Sequence, residues 1–558
     1  MNKQNNTVFN FLKKQIIKAL KTTIKIDEFS DVDISTSKIE VDKIKNIKFG
    51  DYCTTIALMT NIKKDRVMSF AQAIAAQINK KYFQRISVVQ PGFINFTLSN
   101  QIFHNILFEI IDKNINFGIS KKNKIKYNIE FISANPTGLL HIGHARNAVI
   151  GDVLARIWEA NGIDVTREYY INDAGNQIEK LGMSLLIRYK QLFGYNDQLP
   201  EDSYHGNEII EAAHELKNQY DNKFLDTYYD QTGILDKQAG KIIKNFAKNY
   251  MLNIIKNTLL DFGVKMHIWF SESTLYENNL INTTLDSLKQ YTYKKDGALW
   301  LATTKYGDDK DRVLIKSDGN MTYFTPDIAY HNIKMSRGYD KCFNIWGADH
   351  TSYADRIKIA MRIFGYKDDM LNILIMQMVK LIKDGAEFKM SKRSGKSLTL
   401  MNLVKTIGKD AARWYLVSRP MISHLEIDID KATKQSNDNP FYYVQYAHAR
   451  INQILQKKQF DLPKSFDLLT LPSEREIIVH LSMYVETLKK IGDTYEVNIL
   501  SIYLYNLAKL FHSYYSQNII IDEKNEQLSK QRYWLVFCIK QIIANGLKLL
   551  GIEPLNKM

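Results

Sequence analysis

The stretch that most constrains this fold runs from Ile129 to Ile150, Ile-Glu-Phe-Ile-Ser-Ala-Asn-Pro-Thr-Gly-Leu-Leu-His-Ile-Gly-His-Ala-Arg-Asn-Ala-Val-Ile. Tyr127 to Ile132 reads as a buried strand, broken by Asn135, Pro136 and Gly138. A helix then begins near Gly143, with Ala148, Val149, Val153, Ile157 and Ala160 on one face and Gly162 as its stop. His141 and His144 therefore lie where a strand hands over to a helix N-terminus. Such an end exposes unpaired N–H groups and the positive end of the helix dipole. Gly143 between the imidazoles would let a ligand approach the backbone, an arrangement suited to a phosphate chain. Four residues are also compatible with a turn bearing two surface histidines, so a second feature is needed.

That feature lies far downstream. Phe388 to Ser394 reads Phe-Lys-Met-Ser-Lys-Arg-Ser, followed by Gly395 and Lys396. A lysine-rich run alone is an ordinary solvated segment. A complete His-Ile-Gly-His early and a complete Lys-Met-Ser-Lys late, in that order, resemble the paired signature of class I aminoacyl-tRNA synthetases. The pair marks His141, His144, Lys389 and Lys392 as candidate catalytic residues, with Gly143 and Met390 joining the ATP-binding set. Arg393 and Lys396 stay closer to the solvated reading.

The rest of the chain supplies three further regions. At 558 residues there is room for roughly three or four domains. The net charge of +15 favours a polyanionic partner. Cys53, Cys342 and Cys538 are too scattered for a disulfide framework or a Cys-x-x-Cys zinc site, which predicts no zinc and a reducing, cytoplasmic setting. No run of about 18 apolar residues predicts a membrane span. Val8, Phe11, Leu12, Ile16 and Leu20 make an amphipathic helix that reads as structure rather than as a transit peptide. Residues 1–115 form an α+β module with a helix near Ser69 to Asn79 and two strands split by Gln90-Pro91-Gly92. Residues 116–385 alternate strand and helix, which predicts a doubly wound parallel sheet, with a helical insertion over about 178–265. Ala298 to Thr303, Val313 to Lys316, Cys342 to Trp346 and Ile373 to Val379 read as strands of this region. Residues 386–430 hold the basic loop and a connecting region. Residues 431–558 read as a helical bundle, with Asn439-Pro440 opening one helix and a Ser473/Glu476 capping box opening another.

The segments Glu130 to His144, Gly307 to Arg312, Tyr323 to Asp327, Gly347 to His350, and Gln435 through Arg450 together resemble bacterial arginyl-tRNA synthetases, and the resemblance covers nearly the whole chain. It implies a Rossmann-type catalytic domain, an N-terminal domain touching the tRNA elbow and a C-terminal helical anticodon-binding domain. It implies ATP, L-arginine and tRNA(Arg) as substrates, Mg²⁺ carried with ATP, a monomer, and arginine activation that waits for bound tRNA. Asp327 and Tyr323 match the family's Tyr-x-x-x-Asp for the guanidinium, and Glu272 matches a further guanidinium-side acid. Glu130, Ser133 and Asn135 match positions near the substrate's α-amino and carboxylate groups. Asp349 and His350 fall beside the ATP ribose or adenine.

The residue types suit that chemistry. The attacking carboxylate of the amino acid already carries its charge, so the first step needs alignment and compensation of negative charge more than a general base. A guanidinium is best recognised by carboxylates. Asp327 could equally be a helix-surface acid, and Tyr323 core packing. Tyr442, Tyr446 and Arg450 are candidates for anticodon contact, although tyrosines at helical spacing also fill bundle cores. Methionyl and cysteinyl enzymes would show zinc-ligand cysteines, absent here. Nucleotidyltransferases with His-x-Gly-His are much shorter, and a catalytically silent RNA-binding paralogue need not keep both motifs.

Overall fold

The computed structural model describes residues 7–32, 39–44, 46–230, 233–388 and 398–558. The predicted Lys389, Met390 and Lys392 lie outside the described residues. The chain forms two compact units, one of residues 1–121 with 435–558 and one of residues 122–434.

In the first unit the N-terminal helix α1 (Val8–Thr23) buries Phe9, Leu12, Ile16 and Leu20. A four-stranded antiparallel sheet contains β1 (Asp42–Lys43), β2 (Tyr52–Thr54), β3 (Phe83–Val89) and β4 (Phe93–Leu98) in the order β1-β2-β4-β3. The Gln90-Pro91-Gly92 turn joins β3 to β4, as its composition predicts. The C-terminal bundle contains helices Pro440–Lys457, Pro472–Ser482, Asn498–Gln517 and Glu526–Leu549. Asn439 Oδ1 accepts the N–H groups of Phe441 and Tyr442 at 3.1 and 3.2 Å, with Pro440 opening the helix. The expected Ser473/Glu476 capping box is displaced. The helix starts at Pro472, and Glu474 accepts the Leu471 N–H at 3.0 Å. The two terminal modules are welded together by polar contacts. Arg475 pairs bidentately with Asp51 at 2.8 and 2.6 Å. Asn545 Nδ2 donates to the carbonyls of Asn114 and Phe117.

The second unit is built on a parallel sheet. Its strands are β5 (Lys126–Glu130), β6 (Asp164–Ile171), β7 (Ile268–Ser271), β8 (Lys341–Gly347) and β9 (Leu371–Met376), in the order β9-β8-β5-β6-β7. Strand order therefore reverses between β5 and β8. In such sheets the crevice at the carboxyl ends of those two strands is where ligands bind. Helix α1's counterpart here, α2 (Ile142–Ala160), follows β5. Its apolar spacing predicts one buried face, but it is buried almost all round, with Arg146 and Asp152 also enclosed. The predicted helical insertion is the crossover between β6 and β7, made of α3 (Asn176–Gln191), α4 (Asn207–Tyr220) and α5 (Lys237–Asp261) around Leu181, Leu185, Leu186 and Ile243. Helices α6 (Phe324–Ser336) and α7 (Thr351–Ile363) flank β8 in sequence.

Three strand assignments need correction. Ala298–Leu301 and Arg312–Ile315 do not join the parallel sheet. With Thr292–Lys295 they form a separate antiparallel sheet, because the two-residue turn Asp296-Gly297, both at positive φ, folds the chain straight back. The apolar stretch predicted from Ile373 to Val379 splits after Met376, and Val379–Lys383 instead pairs in parallel with Leu425–Asp428, a strand inside the connecting region.

Candidate active site

The carboxyl end of β5 is a strained turn. Ile132 and Ser133 sit at φ +72° and +42°, positions a β-branched residue avoids. The turn is pinned from α2. Asn147 Oδ1 accepts the Ile132 N–H at 2.8 Å, and Asn147 Nδ2 donates to the Ile345 carbonyl of β8 at 2.9 Å. One helical side chain thus ties both strands of the crevice to the helix that carries the histidines. Ser133 Oγ accepts the Tyr170 N–H at 3.1 Å and donates to Glu130 Oε1 at 3.1 Å. Asn135 Nδ2 donates to Gln177 at 2.6 Å.

His141 is the N-cap of α2, and the two imidazoles cap reciprocally. His141 Nδ1 accepts the N–H groups of Gly143 at 3.0 Å and His144 at 3.4 Å, while His144 Nδ1 accepts the His141 N–H at 3.3 Å. The Ile142 N–H is bonded to the Leu398 carbonyl at 3.2 Å. The expected row of unpaired N–H groups is therefore absent, because the histidines and Leu398 already satisfy the first turn. Charge compensation must pass through the rings instead. With each Nδ1 lone pair used as an acceptor, the ring proton of the neutral imidazole sits on Nε2. Burial, with His141 beside it, lowers the His144 pKa to about 3, so it stays neutral at working pH. The rings stack with centroids 3.6 Å apart. A Cβ on Gly143 would lie 2.9 Å from the His141 ring. The glycine makes room for the imidazole that caps it.

These groups line a cavity of about 1100 Å³ reaching from Thr137, Gly138, His141, Gly143 and His144 to Glu130, Tyr170, Asp327 and Tyr353. Asp349 and His350, at the end of β8, also line it and approach each other at 3.2 Å.

The far end of the cavity is acidic. Glu130 is already neutralised, since its Oε2 accepts from Lys334 Nζ at 2.6 Å, Tyr330 Oη at 2.9 Å and Asn344 Nδ2 at 3.0 Å. Asp327 and Glu272 differ. Among the described residues neither forms an ion pair with a cation. Asp327 accepts only the Tyr353 hydroxyl, at 2.5 Å, and Glu272 the hydroxyls of Tyr170 and Tyr276. Burial raises Asp327 to about 6, and burial together with the charge of Asp327 raises Glu272 to about 7. Asp327 on the cavity wall, with Glu272 as a second buried acid behind it, is the chemistry that suits a cation with many donors.

Tyr323 does not join them. It is 91% exposed at the N-cap of α6 and off the cavity wall, so its four-residue spacing from Asp327 does not bring both inward. Glu272 lies behind the lining, joined to the cavity through Tyr170. Sequence reasoning missed Asn147, Tyr170, Tyr353 and the crossover residues Tyr204 and Glu208, which also line the cavity. Only Asn147 had a local signal, three residues beyond His144.

In the first unit, Tyr442 and Tyr446 stack at 6.0 Å, and Arg450 donates to the Tyr446 hydroxyl at 2.9 Å while lying over the Tyr515 ring at 4.5 Å. Val444, Ala447 and Ile451 form the buried face of the helix, so these tyrosines are not its core. Tyr446 and Arg450 line a hollow of about 440 Å³ with Tyr443, His512 and Tyr515.

A doubly wound parallel sheet with the His-x-Gly-His pair capping its first helix, and a Lys-Met-Ser-Lys segment later in the chain, defines a class I aminoacyl-tRNA synthetase. The comparisons narrow this. Residues 106–428 match the family described as tRNA synthetases class I (R), catalytic domain; residues 10–98 match the arginyl tRNA synthetase N terminal domain; and residues 444–558 match the DALR anticodon binding domain. An arginine–tRNA ligase of Ureaplasma parvum serovar 3 is 47% identical over 529 residues, 94% of this chain and 96% of its own. One of Malacoplasma penetrans is 45% identical over 563 residues, 98% of this chain and 100% of its own. The solved structure of the Thermus thermophilus arginyl-tRNA synthetase shares the fold, with a TM-score of 0.77 at 20% identity over 99% of this chain and 100% of its own. The chain belongs to the arginyl-tRNA synthetase family.

Proposed function

We propose that the cavity performs both steps of arginine–tRNA ligation, with the histidine pair at its phosphate end and Asp327 and Glu272 at its side-chain end. The enzyme joins L-arginine to tRNA(Arg) at the cost of ATP, forming arginyl-adenylate and pyrophosphate first. The observation that carries the arginine reading is the pair of buried carboxylates without a cation. A guanidinium supplies five N–H donors and one delocalised charge, which pairs with Asp327 on the wall while Glu272 behind it adds negative potential.

In activation, the arginine carboxylate attacks the α-phosphorus and pyrophosphate leaves. Neutral His141 and His144 donate Nε2–H to the phosphate oxygens on which charge accumulates. Lys389 and Lys392 supply point charges on long stems to the departing pyrophosphate. Gly143 and Met390 complete the ATP environment, with Asp349 and His350 toward the ribose or adenine. Glu130, Ser133 and Asn135 orient the α-amino and carboxylate groups. Because Lys334 already offsets the charge of Glu130, Ser133 and the Glu130 carboxylate act there as hydrogen-bond acceptors rather than as an unpaired anion. Mg²⁺ enters on the ATP phosphates. The imidazoles at that end do not fit a protein-held magnesium, which prefers oxygen ligands, and no cluster of three or more His, Cys, Asp or Glu suited to a metal occurs among the described residues.

Tyr442, Tyr446 and Arg450 form a stacking platform for unstacked anticodon bases. Activation waits for tRNA, as the family resemblance implies. No helix among the described residues is long and apolar enough to cross a membrane, and the cytoplasm holds the three substrates. Asp327→Asn tests the arginine subsite. It should abolish arginine-dependent charging while ATP binding persists, and loss of ATP binding would contradict the assigned role.

A further inference from the structure

We propose that Tyr353 is a specificity-determining positioning residue: its hydroxyl holds Asp327 as an acceptor-only carboxylate, so the pocket takes a charged guanidinium and refuses the neutral ureido side chain of the same shape. The proposal rests on the reading of Asp327 as a guanidinium ligand.

The two side chains differ at one terminal group, an NH2 that shares the positive charge against a neutral carbonyl oxygen. A carboxylate can only accept, so it faces that carbonyl with repulsion and leaves a buried lone pair unmatched. A protonated carboxyl could donate to it and would accommodate the wrong substrate. Discrimination therefore depends on which form of Asp327 meets the ligand. The groups around it mostly favour the protonated form. Glu272 is close enough for the two charges to repel, and Glu130 is near though offset by Lys334. His331 is neutral and touches only the Asp327 backbone carbonyl, at 2.7 Å. Tyr170 and Tyr276 serve Glu272, Asp173 is paired with Lys248, and Arg356 lies near Tyr353 without an ion pair to Asp327. The Tyr353 hydroxyl, 2.5 Å from Oδ2, is the side-chain donor that stabilises the ionised form in the unliganded pocket. It is fixed in place, with its ring stacked on Trp346 at 6.0 Å and edge-on to Phe324 at 6.1 Å. Burial and the Asp327 charge both raise the phenol's pKa, so Tyr353 remains a donor throughout the working range. A carboxylate oxygen has two lone pairs, which leaves room for the guanidinium beside the phenol.

The test is Tyr353→Phe in the full chain, by steady-state charging of tRNA with saturating ATP, with citrulline as the competing ureido amino acid. The arginine KM should rise about tenfold near neutral pH with kcat within about threefold, and the ratio of citrulline Ki to arginine KM should fall about tenfold. The loss should be larger at pH 6.5 than at pH 8.5. An unchanged ratio with a KM rise independent of pH would show a packing role only and overturn the proposal. So would wild-type values throughout. Asp327→Asn run alongside separates the two levels. If it keeps wild-type arginine KM, the guanidinium reading itself fails. If it loses arginine while Tyr353→Phe keeps its citrulline ratio, only the Tyr353 proposal fails. An unchanged thermal midpoint confirms that the phenylalanine variant is folded.

Discussion

Replacing Asp327 by Asn should make the unliganded enzyme more stable while destroying its use of arginine. In the folded chain burial raises this carboxyl to about 6, against an ordinary unfolded value near 3.9. The folded state therefore binds the proton more tightly than the unfolded state, and folding carries a penalty that grows as pH rises from about 4 and levels off above about 6. A gap of about two pKa units corresponds to roughly 3 kcal/mol at pH 8, and roughly half of that at pH 5. Asparagine is neutral, so it avoids the penalty. That gap already includes the Tyr353 hydrogen bond, which favours the ionised form, so the net gain is about 3 kcal/mol at pH 8. The assay is thermal unfolding of the full chain at pH 8 and pH 5, with and without arginine. The variant's first midpoint should lie about 4 °C above wild type at pH 8, with a smaller difference at pH 5. Saturating arginine should raise the wild-type midpoint and leave the variant's unmoved. A variant destabilised at pH 8, or still stabilised by arginine, would refute the reasoning.

Two further outcomes follow from the same geometry. With both acids required as carboxylates, and ionising near 6 and 7, kcat/KM for arginine should fall roughly twentyfold from pH 8 to pH 6 while the ATP KM changes less than about twofold; a flat arginine profile would remove the pair from recognition. His144→Asn keeps an oxygen able to accept the His141 N–H but loses the Nε2–H, so kcat should drop about a hundredfold or more at a nearly unchanged thermal midpoint. An active variant would take His144 out of phosphate stabilisation.

What could be read in advance follows the range of the forces involved. The strand–turn–helix around His141 is local, and its breakers and apolar spacing place it within a residue or two. The use of the imidazoles is not local in the same way. Whether a histidine offers its ring or its backbone to a phosphate depends on which N–H groups are already satisfied, and Leu398, remote in sequence, satisfies one of them. Asp327 could be assigned from the family pattern, but its partner Tyr353 comes from another helix, 26 residues on, with no motif of its own. Tyr323 shows the opposite case: its backbone at the N-cap of α6 is already helical, so its register with Asp327 holds, yet its ring stands in solvent, which spacing alone does not reveal. Apolar strand runs do not reveal sheet membership, so the Asp296-Gly297 hairpin was placed in the wrong sheet. The union of the two terminal modules rests on Arg475 and Asp51, 424 residues apart, beyond any sequence window.

The most direct test of the central claim is ATP–pyrophosphate exchange with each of the twenty amino acids, with and without total tRNA. The account predicts exchange with arginine alone, and only when tRNA is present. Exchange supported by another amino acid would contradict the roles given to Asp327 and Glu272, and no exchange at all, with RNA binding intact, would contradict catalysis in this cavity.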